Sequence, residues 1–354
     1  MCIRDRNISS NVSELIGQMI MVGIKGHDIA AAKDFFKLNQ GYQIGGIILY
    51  DEDITISPPS LHNIRSPKQL QKFTSDLQRL SDIPLLVGVD QEGGKVNRLK
   101  TKYGFEPSTS WENLGKINDL EQTAKEALRT AKTLKENGIN LNFAPVLDLL
   151  LSKDNIIIKK QRSFSSNPDK LTNHAKIVID THMDNNIIAV AKHFPGQGSS
   201  IGDTHEGWVD VSESWSEKEL LPYQNLIDSE TISAIMTSHL FNKYLDDEYP
   251  ATVSKSILTD LLRKKMNFTG VIISDDPQMK ALKNKYSLEQ IIELMINAGV
   301  DIFCFGNNLE YDPGIVKKIH HIIDDLLKRN KITISRLVKS YDRIINLKTM
   351  IGLQ

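Results

Sequence analysis

The chain has 354 residues, of which 40% are hydrophobic and 25% are charged, and its formal net charge at pH 7 is −1. This composition is typical of a globular protein with a substantial core. The balanced charge argues against a surface that binds nucleic acid. No apolar run reaches the length of about 18 residues that a membrane-spanning helix needs.

The first residues differ from the rest of the chain. The opening MCIRDR is charged and lacks the apolar segment of a signal peptide. We expect residues 1–7 to be a disordered or non-native extension and residues 8–354 to form a single catalytic domain. The two cysteines, Cys2 and Cys304, predict no structural disulfide, which fits a cytoplasmic location. A periplasmic or exported location is the alternative if the native start is missing.

Eight apolar or β-branched runs recur along the chain and predict eight strands. In chain order they cover residues 17–23, 46–50, 84–90, 140–148, 187–193, 232–239, 270–275 and 300–306. Segments with apolar residues at helical spacing alternate with them. The predicted helices cover residues 67–80, 120–137, 169–185, 217–229, 255–265, 288–297, 314–328 and 335–350.

Strands that are apolar throughout, each followed by a helix, are typical of parallel sheets buried on both faces. The fold class is therefore α/β, and the simplest closed arrangement of eight such units is a (β/α)8 TIM-type barrel. An open, doubly wound sheet is the alternative. Gly138 and Gly299 are predicted to end two of the helices.

Polar residues follow six of the eight predicted strands, among them Asp90, Asp148, His193, His239 and Asp275. Turns alone need some polar residues, but carboxylates, amines and imidazoles at so many strand ends predict one polar pocket. The loop after the fifth strand is rich in glycine and contains Asp203 and His205. A carboxylate two residues from an imidazole suggests a pair that handles protons.

Several chemistries fit this pocket poorly. The chain has no phosphate-binding glycine loop and no G-x-S-x-G serine elbow. His193, His205 and His239 are of a residue type that binds metals, but Lys192 and Arg162 accompany them and oppose a cation electrostatically, so no metal or other cofactor is predicted. Glycoside cleavage fits better, because it needs a carboxylate and a proton donor. Asp275 and the Asp203–His205 pair supply both.

Five ordered motifs resemble the β-N-acetylhexosaminidase branch of glycoside hydrolase family 3, and the resemblance covers nearly the whole chain. They are VDQEGGKVNR at 89–98, NFAPVLD at 142–148, RSF at 162–164, KHFPGQG at 192–198 with Asp203 and His205, and SDDPQM at 274–279. The resemblance implies retaining hydrolysis by double displacement. Asp275 matches the nucleophile, His205 the acid/base residue on a mobile loop, and Asp203 its partner.

The resemblance also implies the substrate. Five residues match those that hold a terminal N-acetylglucosamine, namely Asp90, Arg98, Arg162, Lys192 and His193. The expected substrate is an N-acetylglucosamine-containing oligosaccharide or muropeptide, and the expected role is cell-wall recycling by a monomer. Neither a nucleic acid nor a membrane span is predicted.

The chain departs from the family pattern at two informative positions. Gln197 replaces a usual histidine, and Pro277 replaces a usual leucine beside the nucleophile. These departures leave open a sugar-binding protein without activity. A β-N-acetylglucosaminide phosphorylase or another β-glycosidase of the same fold is a further alternative, as is Asp276 as the nucleophile. Asp148 and His239 are interpreted as supporting residues, and Asp51 and Asp53 as solvated loop residues.

Overall fold

A ring of eight parallel strands lies at the centre of the protein. The computed structural model describes residues 8–353, so the predicted extension at 1–7 lies outside the described residues. The strands are β1 Ile20–Gly23, β2 Gly46–Ile48, β3 Leu86–Val89, β4 Leu141–Asn142, β5 Ile188–Phe194, β6 Ala234–Thr237, β7 Val271–Ile273 and β8 Phe303–Phe305.

The order of the strands closes the sheet. Each strand from β1 to β6 pairs in parallel with the next, and β8 pairs with β1. A parallel bridge between Ile273 and Ile302 joins the end of β7 to the start of β8. The predicted (β/α)8 TIM-type barrel is therefore confirmed, and the open sheet is excluded.

Helices surround the barrel. Those of seven residues or more span Ile8–Gln18, Ile29–Leu38, Pro67–Leu80, Trp111–Ile117, Leu120–Glu136, Pro168–Asp184, Leu221–Asp228, Leu288–Ala298, Ile315–Lys328 and Ile334–Met350, and a π-helical segment spans Ser256–Lys265. Short turns at Ile156–Lys159 and Lys280–Lys283 are also helical. None of the helices within residues 8–353 is long and apolar enough to cross a membrane.

The helix ends follow from local chemistry. Ser66 caps Pro67–Leu80 by accepting a hydrogen bond from the Gln69 N–H. Ser287 and Gln290 form a reciprocal capping box on Leu288–Ala298. Gly299 ends that helix in the left-handed region, with φ 116°, as predicted.

Seven of the eight strands are shorter than predicted, most clearly β4, and only β5 has the predicted length. The apolar run 140–148 forms regular ladder pairs only at Leu141 and Asn142. Pro145 lacks an N–H group and cannot donate to a ladder, so the chain leaves the regular sheet there. The predicted helix 217–229 is divided into a 3-10 turn, Glu217–Leu220, and the helix Leu221–Asp228. The polar loop after β2 contains a small hairpin, Glu52–Asp53 with Ser60–Leu61.

Candidate active site

A pocket of about 220 Å³ opens at the carboxyl ends of the barrel strands. Seven of the eight predicted site residues line it, and they come from the ends of β3, β5 and β7 and from the loops after β3, β4 and β5. They are Asp90, Arg98, Arg162, Lys192, His193, His205 and Asp275. The eighth, Asp203, contacts His205. Residues far apart in the sequence are thus brought to one place, as in other barrels.

An ion network forms one wall of the pocket. The Lys192 ammonium is buried and lies 2.8 Å from Asp90 Oδ1 and 2.7 Å from Glu92 Oε1. Arg162 donates from Nε and Nη2 to the two oxygens of Glu92, at 2.8 Å and 2.7 Å. Glu92 was not among the predicted site residues, although it lies within the QEGG motif, two residues after Asp90.

The charges of this wall are mutually stabilised. Burial alone raises the pKa of a carboxyl group, but the charges of Lys192 and Arg98 outweigh it and hold the pKa of Asp90 below its usual range. For Glu92 the charges of Arg162 and Lys192 likewise overcome burial and lower the pKa to about 2. Both carboxylates are therefore ionised at neutral pH, and Asp90, which lines the pocket, can accept hydrogen bonds from a bound molecule.

Arg98 and His193 are held by further carboxylates. Arg98 Nη2 lies 3.5 Å from Asp90 Oδ2, and Arg98 Nη1 lies 3.6 Å from Asp51 Oδ1. The Asp148 carboxylate accepts a hydrogen bond from His193 Nδ1 at 2.6 Å, which leaves His193 Nε2 facing Arg162 Nη2 at 3.3 Å. The interpretation of Asp148 as a supporting residue agrees with this contact.

The interpretation of Asp51 and Asp53 as solvated residues is wrong. Asp51 is fully buried, and the Lys100 ammonium lies 2.5 Å from its Oδ2. Asp53 is nearly buried and pairs with Lys25 at 3.0 Å. Both aspartates lie in a polar stretch of sequence, and only the tertiary fold brings their lysine partners to them.

Asp275 follows β7 and faces the pocket. Its Oδ1 accepts the backbone N–H of Asp276 at 2.8 Å, and its own N–H donates to Thr237 Oγ1 at 3.3 Å. Burial acts to raise the pKa of Asp275, but the charges of His239, His193 and His205 outweigh it, so the pKa is below its usual value. The carboxylate is thus ionised and oriented, as a nucleophile must be.

Asp276 also lines the pocket but has the opposite electrostatic character. Burial and the adjacent Asp275 charge raise the pKa of Asp276 to about 7, although backbone hydrogen bonds from Gln278 and Gly306 oppose the rise. Asp276 therefore retains its proton more readily than its neighbour. Of the two carboxyl groups, Asp275 is the one suited to nucleophilic attack.

The Asp203–His205 pair lies at the mouth of the pocket. His205 Nδ1 is 2.8 Å from Asp203 Oδ1, which also accepts the backbone N–H of His205 at 2.9 Å. The hydrogen bond to Asp203 raises the pKa of His205, burial opposes the rise, and the charge of Asp275 adds to it. Because Asp203 engages Nδ1, Nε2 is the nitrogen left to exchange a proton with a bound molecule.

His239 lies behind this constellation, in agreement with its interpretation as a supporting residue. It is fully buried, its Nε2 lies 2.9 Å from the Asp276 carbonyl oxygen, and its Nδ1 lies 2.7 Å from Thr252 Oγ1. Within residues 8–353 no group of three or more His, Cys, Asp or Glu side chains is arranged to hold a metal ion. The site is thus a polar pocket with one ionised candidate nucleophile and one imidazole that can carry a proton.

Comparisons with known proteins agree with this geometry. Residues 11–347 match the family Glycosyl hydrolase family 3 N terminal domain. A beta-hexosaminidase of Nitrosomonas eutropha is 32% identical over 75% of this chain and 74% of its own length, and one of Photobacterium profundum is 30% identical over 91% of this chain and 92% of its own.

A solved structure extends the comparison. The glycoside hydrolase family 3 beta-N-acetylglucosaminidase of a Paenibacillus species superposes with a TM-score of 0.85 at 25% identity, over 96% of this chain. This chain spans 62% of that enzyme, which is less than two thirds of its length. The match to the family over most of the chain means that the protein belongs to glycosyl hydrolase family 3 and is a glycoside hydrolase.

Proposed function

We propose that the protein is a retaining exo-β-N-acetylglucosaminidase that releases terminal β-linked N-acetylglucosamine from muropeptide fragments. The observation that carries the proposal is one pocket that is lined both by an ionised Asp275 and by His205, an imidazole of raised pKa. The named relatives, beta-hexosaminidases and a beta-N-acetylglucosaminidase, support the sugar class.

In the first step an Asp275 oxygen forms a bond to the anomeric carbon C1 as the bond from C1 to the leaving oxygen breaks. Protonated His205 gives its Nε2 proton to that oxygen, and the aglycone departs as an alcohol. The sugar is then held as an ester of Asp275. The raised pKa of His205 keeps the proton available at neutral pH until this step.

In the second step a water oxygen attacks C1 while His205, now neutral, takes a proton from the water. The ester bond from C1 breaks and returns the electron pair to Asp275. The Asp275 charge contributes to the raised pKa of His205, and the ester carries no such charge. The pKa of His205 is therefore lower in the intermediate, so more of the imidazole is in the neutral form that can accept a proton from water, as the second step requires.

The ion network supports recognition of a terminal sugar. Asp90, Arg98, Lys192 and Arg162 present charged hydrogen-bonding groups at fixed distances from one another, and such groups can hold several ring hydroxyls at once. A sugar ring that is contacted on several sides has room for few further sugars, so the arrangement favours hydrolysis at the end of a sugar chain. The muropeptide aglycone, a cytoplasmic location and the monomeric state rest on the family resemblance and stay predictions.

The proposal is tested with the variants Asp275→Ala and His205→Ala on an aryl β-N-acetylglucosaminide. Each should lose at least about a hundredfold in kcat, since nucleophilic and acid/base assistance are worth that much or more. Glu206→Ala, an exposed change in the same loop, should stay near wild type. A near-wild-type Asp275→Ala enzyme would contradict the assignment. The proton NMR signal of the first product should be that of the β anomer, and an α anomer excludes retention.

A substrate panel defines the sugar and the aglycone. Aryl N-acetylglucosaminide, N-acetylgalactosaminide, glucoside and a muropeptide disaccharide should be compared by kcat/KM. We expect N-acetylglucosaminides to lead. Tight N-acetylglucosamine binding with no turnover of any member would favour a sugar-binding protein without activity instead.

Transfer to phosphate is the second candidate. Lys160 and Arg162 line the pocket with His205 and give this part of the rim a positive character that an incoming anion would meet. Rates in phosphate and in phosphate-free buffer, with the product identified, separate the two reactions. Formation of the sugar 1-phosphate identifies a phosphorylase, and free sugar in both buffers identifies a hydrolase.

A further inference from the structure

The loop that carries Asp203 and His205 has a firmly held beginning. Residues 195–200, here called the loop stem, follow β5 and precede the pair. Buried side chains bind its backbone: Asp148 Oδ1 accepts the Gln197 N–H at 2.8 Å, and Asn155 Nδ2 donates to the Gln197 and Ser200 carbonyl oxygens at 2.6 Å and 2.8 Å.

The tip of the loop is much less enclosed. The His205 side chain is 58% exposed, and Gly207 has no atom within 4 Å of the position that a Cβ would take. The position of the imidazole therefore depends on how the stem is held. The stem glycines are not free hinges, because a Cβ on Gly198 would meet the Leu149 carbonyl oxygen at 2.0 Å.

The buried side chain of Glu219 also contacts the loop stem. It lies in the 3-10 turn Glu217–Leu220, and its side chain is fully buried. Glu219 Oε2 accepts the Gly198 N–H at 2.7 Å. A Cβ on Gly196 would approach Glu219 Oε2 to 2.9 Å, so the backbone lies directly against the carboxyl group. No Lys, Arg or His nitrogen of residues 12–353 lies within ion-pair distance of it.

Burying a carboxyl group without a cationic partner destabilises the fold, and a role for that group would explain why it is buried. Its one strong hydrogen bond goes to the backbone of the stem, seven residues before His205. The sequence analysis did not single out Glu219, because a glutamate at the start of a helical segment is commonplace.

We propose that Glu219 is a positioning residue for the acid/base step: its buried carboxyl group fixes the loop stem and thereby sets where His205 stands relative to the leaving oxygen. The inference rests on the proposed role of His205 and deepens it. Glu219 itself lies outside the pocket lining and touches no reacting atom.

The pKa of Glu219 supports this role and predicts a pH dependence that can be measured. Burial raises the pKa of Glu219 to about 7, and the charge of Asp148 adds to the rise, while hydrogen bonds from Ser199 and Gly198 oppose it. The titratable groups that face it are Asp148, from the end of the β4 segment, and the buried hydroxyl of Tyr223, from the helix Leu221–Asp228. Neither of these two groups can carry a positive charge that would offset the charge of an ionised Glu219.

Ionisation of Glu219 should weaken the hold on the loop stem. Because the folded pKa lies above the usual value of 4.5, the neutral form is the one that the fold favours. Its contribution is complete below the unfolded pKa and is lost as the pH rises through about 7. The stem should therefore loosen above neutral pH in the wild type, and Glu219→Gln, which is uncharged at every pH, should not loosen.

The first experiment compares leaving groups. Glu219→Ala should lower kcat/KM at least about thirtyfold on a phenyl N-acetylglucosaminide, whose departure needs a proton. On the 2,4-dinitrophenyl analogue, whose departure needs none, the loss should stay within about threefold. Glu219→Gln keeps an acceptor for Gly198 and should restore the phenyl rate, and Glu217→Ala is the exposed control. Equal losses on both substrates would mean general structural damage and would overturn the proposal.

The second experiment does not need activity. Hydrogen exchange across residues 196–208, corrected for intrinsic rates, should be faster in Glu219→Ala than in wild type and near wild type in Glu219→Gln. Between pH 5 and pH 9, a range that spans the pKa of about 7, the wild type should gain exchange that Glu219→Gln lacks. Unchanged exchange in Glu219→Ala overturns the proposal. If exchange behaves as stated but no N-acetylglucosaminide is cleaved by the wild type, the proposed function fails and the stem contact stands.

Discussion

Asp148 holds His193 through the shorter of the two side-chain contacts of that imidazole, with 2.6 Å between Oδ2 and Nδ1. The other carboxylate oxygen accepts the backbone N–H of Gln197 in the loop stem at 2.8 Å. One carboxylate thus links His193, which we propose binds the sugar, with the loop that carries His205, the proposed acid/base residue. Its position in the sequence, at the end of an apolar run, did not indicate this double role.

Asp148→Asn should weaken substrate binding. The amide oxygen would stay with the backbone N–H groups of His193 and Gln197, which Asp148 Oδ1 accepts, so the NH2 group would face His193 Nδ1. That group can donate to Nδ1 but cannot accept from it, so the imidazole proton moves to Nε2, where it faces the Arg162 Nη2 donor 3.3 Å away. A lost charged hydrogen bond costs about 1–3 kcal/mol, which is about 5- to 150-fold in kcat/KM. Steady-state kinetics should show the loss mainly in KM. The exposed Asp154→Asn is the control, and an unchanged KM in Asp148→Asn contradicts the assignment.

Glu92→Gln should destabilise the fold as well as the site. The amide oxygen can accept from only one arm of Arg162, and the buried Lys192 is left with Asp90 as its single carboxylate partner. Breaking a buried ion pair costs about 3 kcal/mol. Urea denaturation at pH 7 measures the loss, with the exposed Glu106→Gln as control. A change below about 0.5 kcal/mol would contradict the importance of this wall.

The same variant should also alter acid stability. The pKa of Glu92 is lowered from 4.5 to about 2, so the ionised form contributes stability above pH 4.5 and loses it as the pH falls towards 2. Glu92→Gln lacks this contribution at every pH. The difference in unfolding free energy between wild type and variant should therefore shrink between pH 4.5 and pH 2. A constant difference over that range would show that Glu92 does not titrate as described.

The barrel could be predicted from the sequence because its strands are buried on both faces and so appear as continuous apolar runs. The predicted ends of the strands were less accurate, because Pro145, for example, interrupts hydrogen bonding inside an apolar run. Asp90, His193 and Asp275 could be predicted because they lie at or close to the carboxyl ends of strands. Glu219 and Asp51 could not, because their burial depends on partners, Gly198 and Lys100, that only the tertiary fold brings near.

Asp203→Asn should move the alkaline limb of the pH profile. Asp203 is the largest contributor to the raised pKa of His205, so its neutralisation lowers that pKa. His205 then loses its proton at lower pH, and kcat/KM should fall earlier as the pH rises. At pH 7 we expect a loss of about a hundredfold on a phenyl glycoside. Profiles from pH 5 to pH 9 measure the shift, with Glu206→Gln as control; an unmoved limb rules out this coupling.

Gln197→His should be tolerated. Gln197 holds the loop stem through its backbone, with its N–H bound to Asp148 and its carbonyl oxygen bound to Asn155. An imidazole replaces only the side chain, so both contacts persist. We expect kcat and KM on an aryl N-acetylglucosaminide to stay within about threefold of wild type, less than 1 kcal/mol in barrier height. A change above about tenfold in either direction would mean that this buried side chain, rather than the backbone, sets the geometry of the loop.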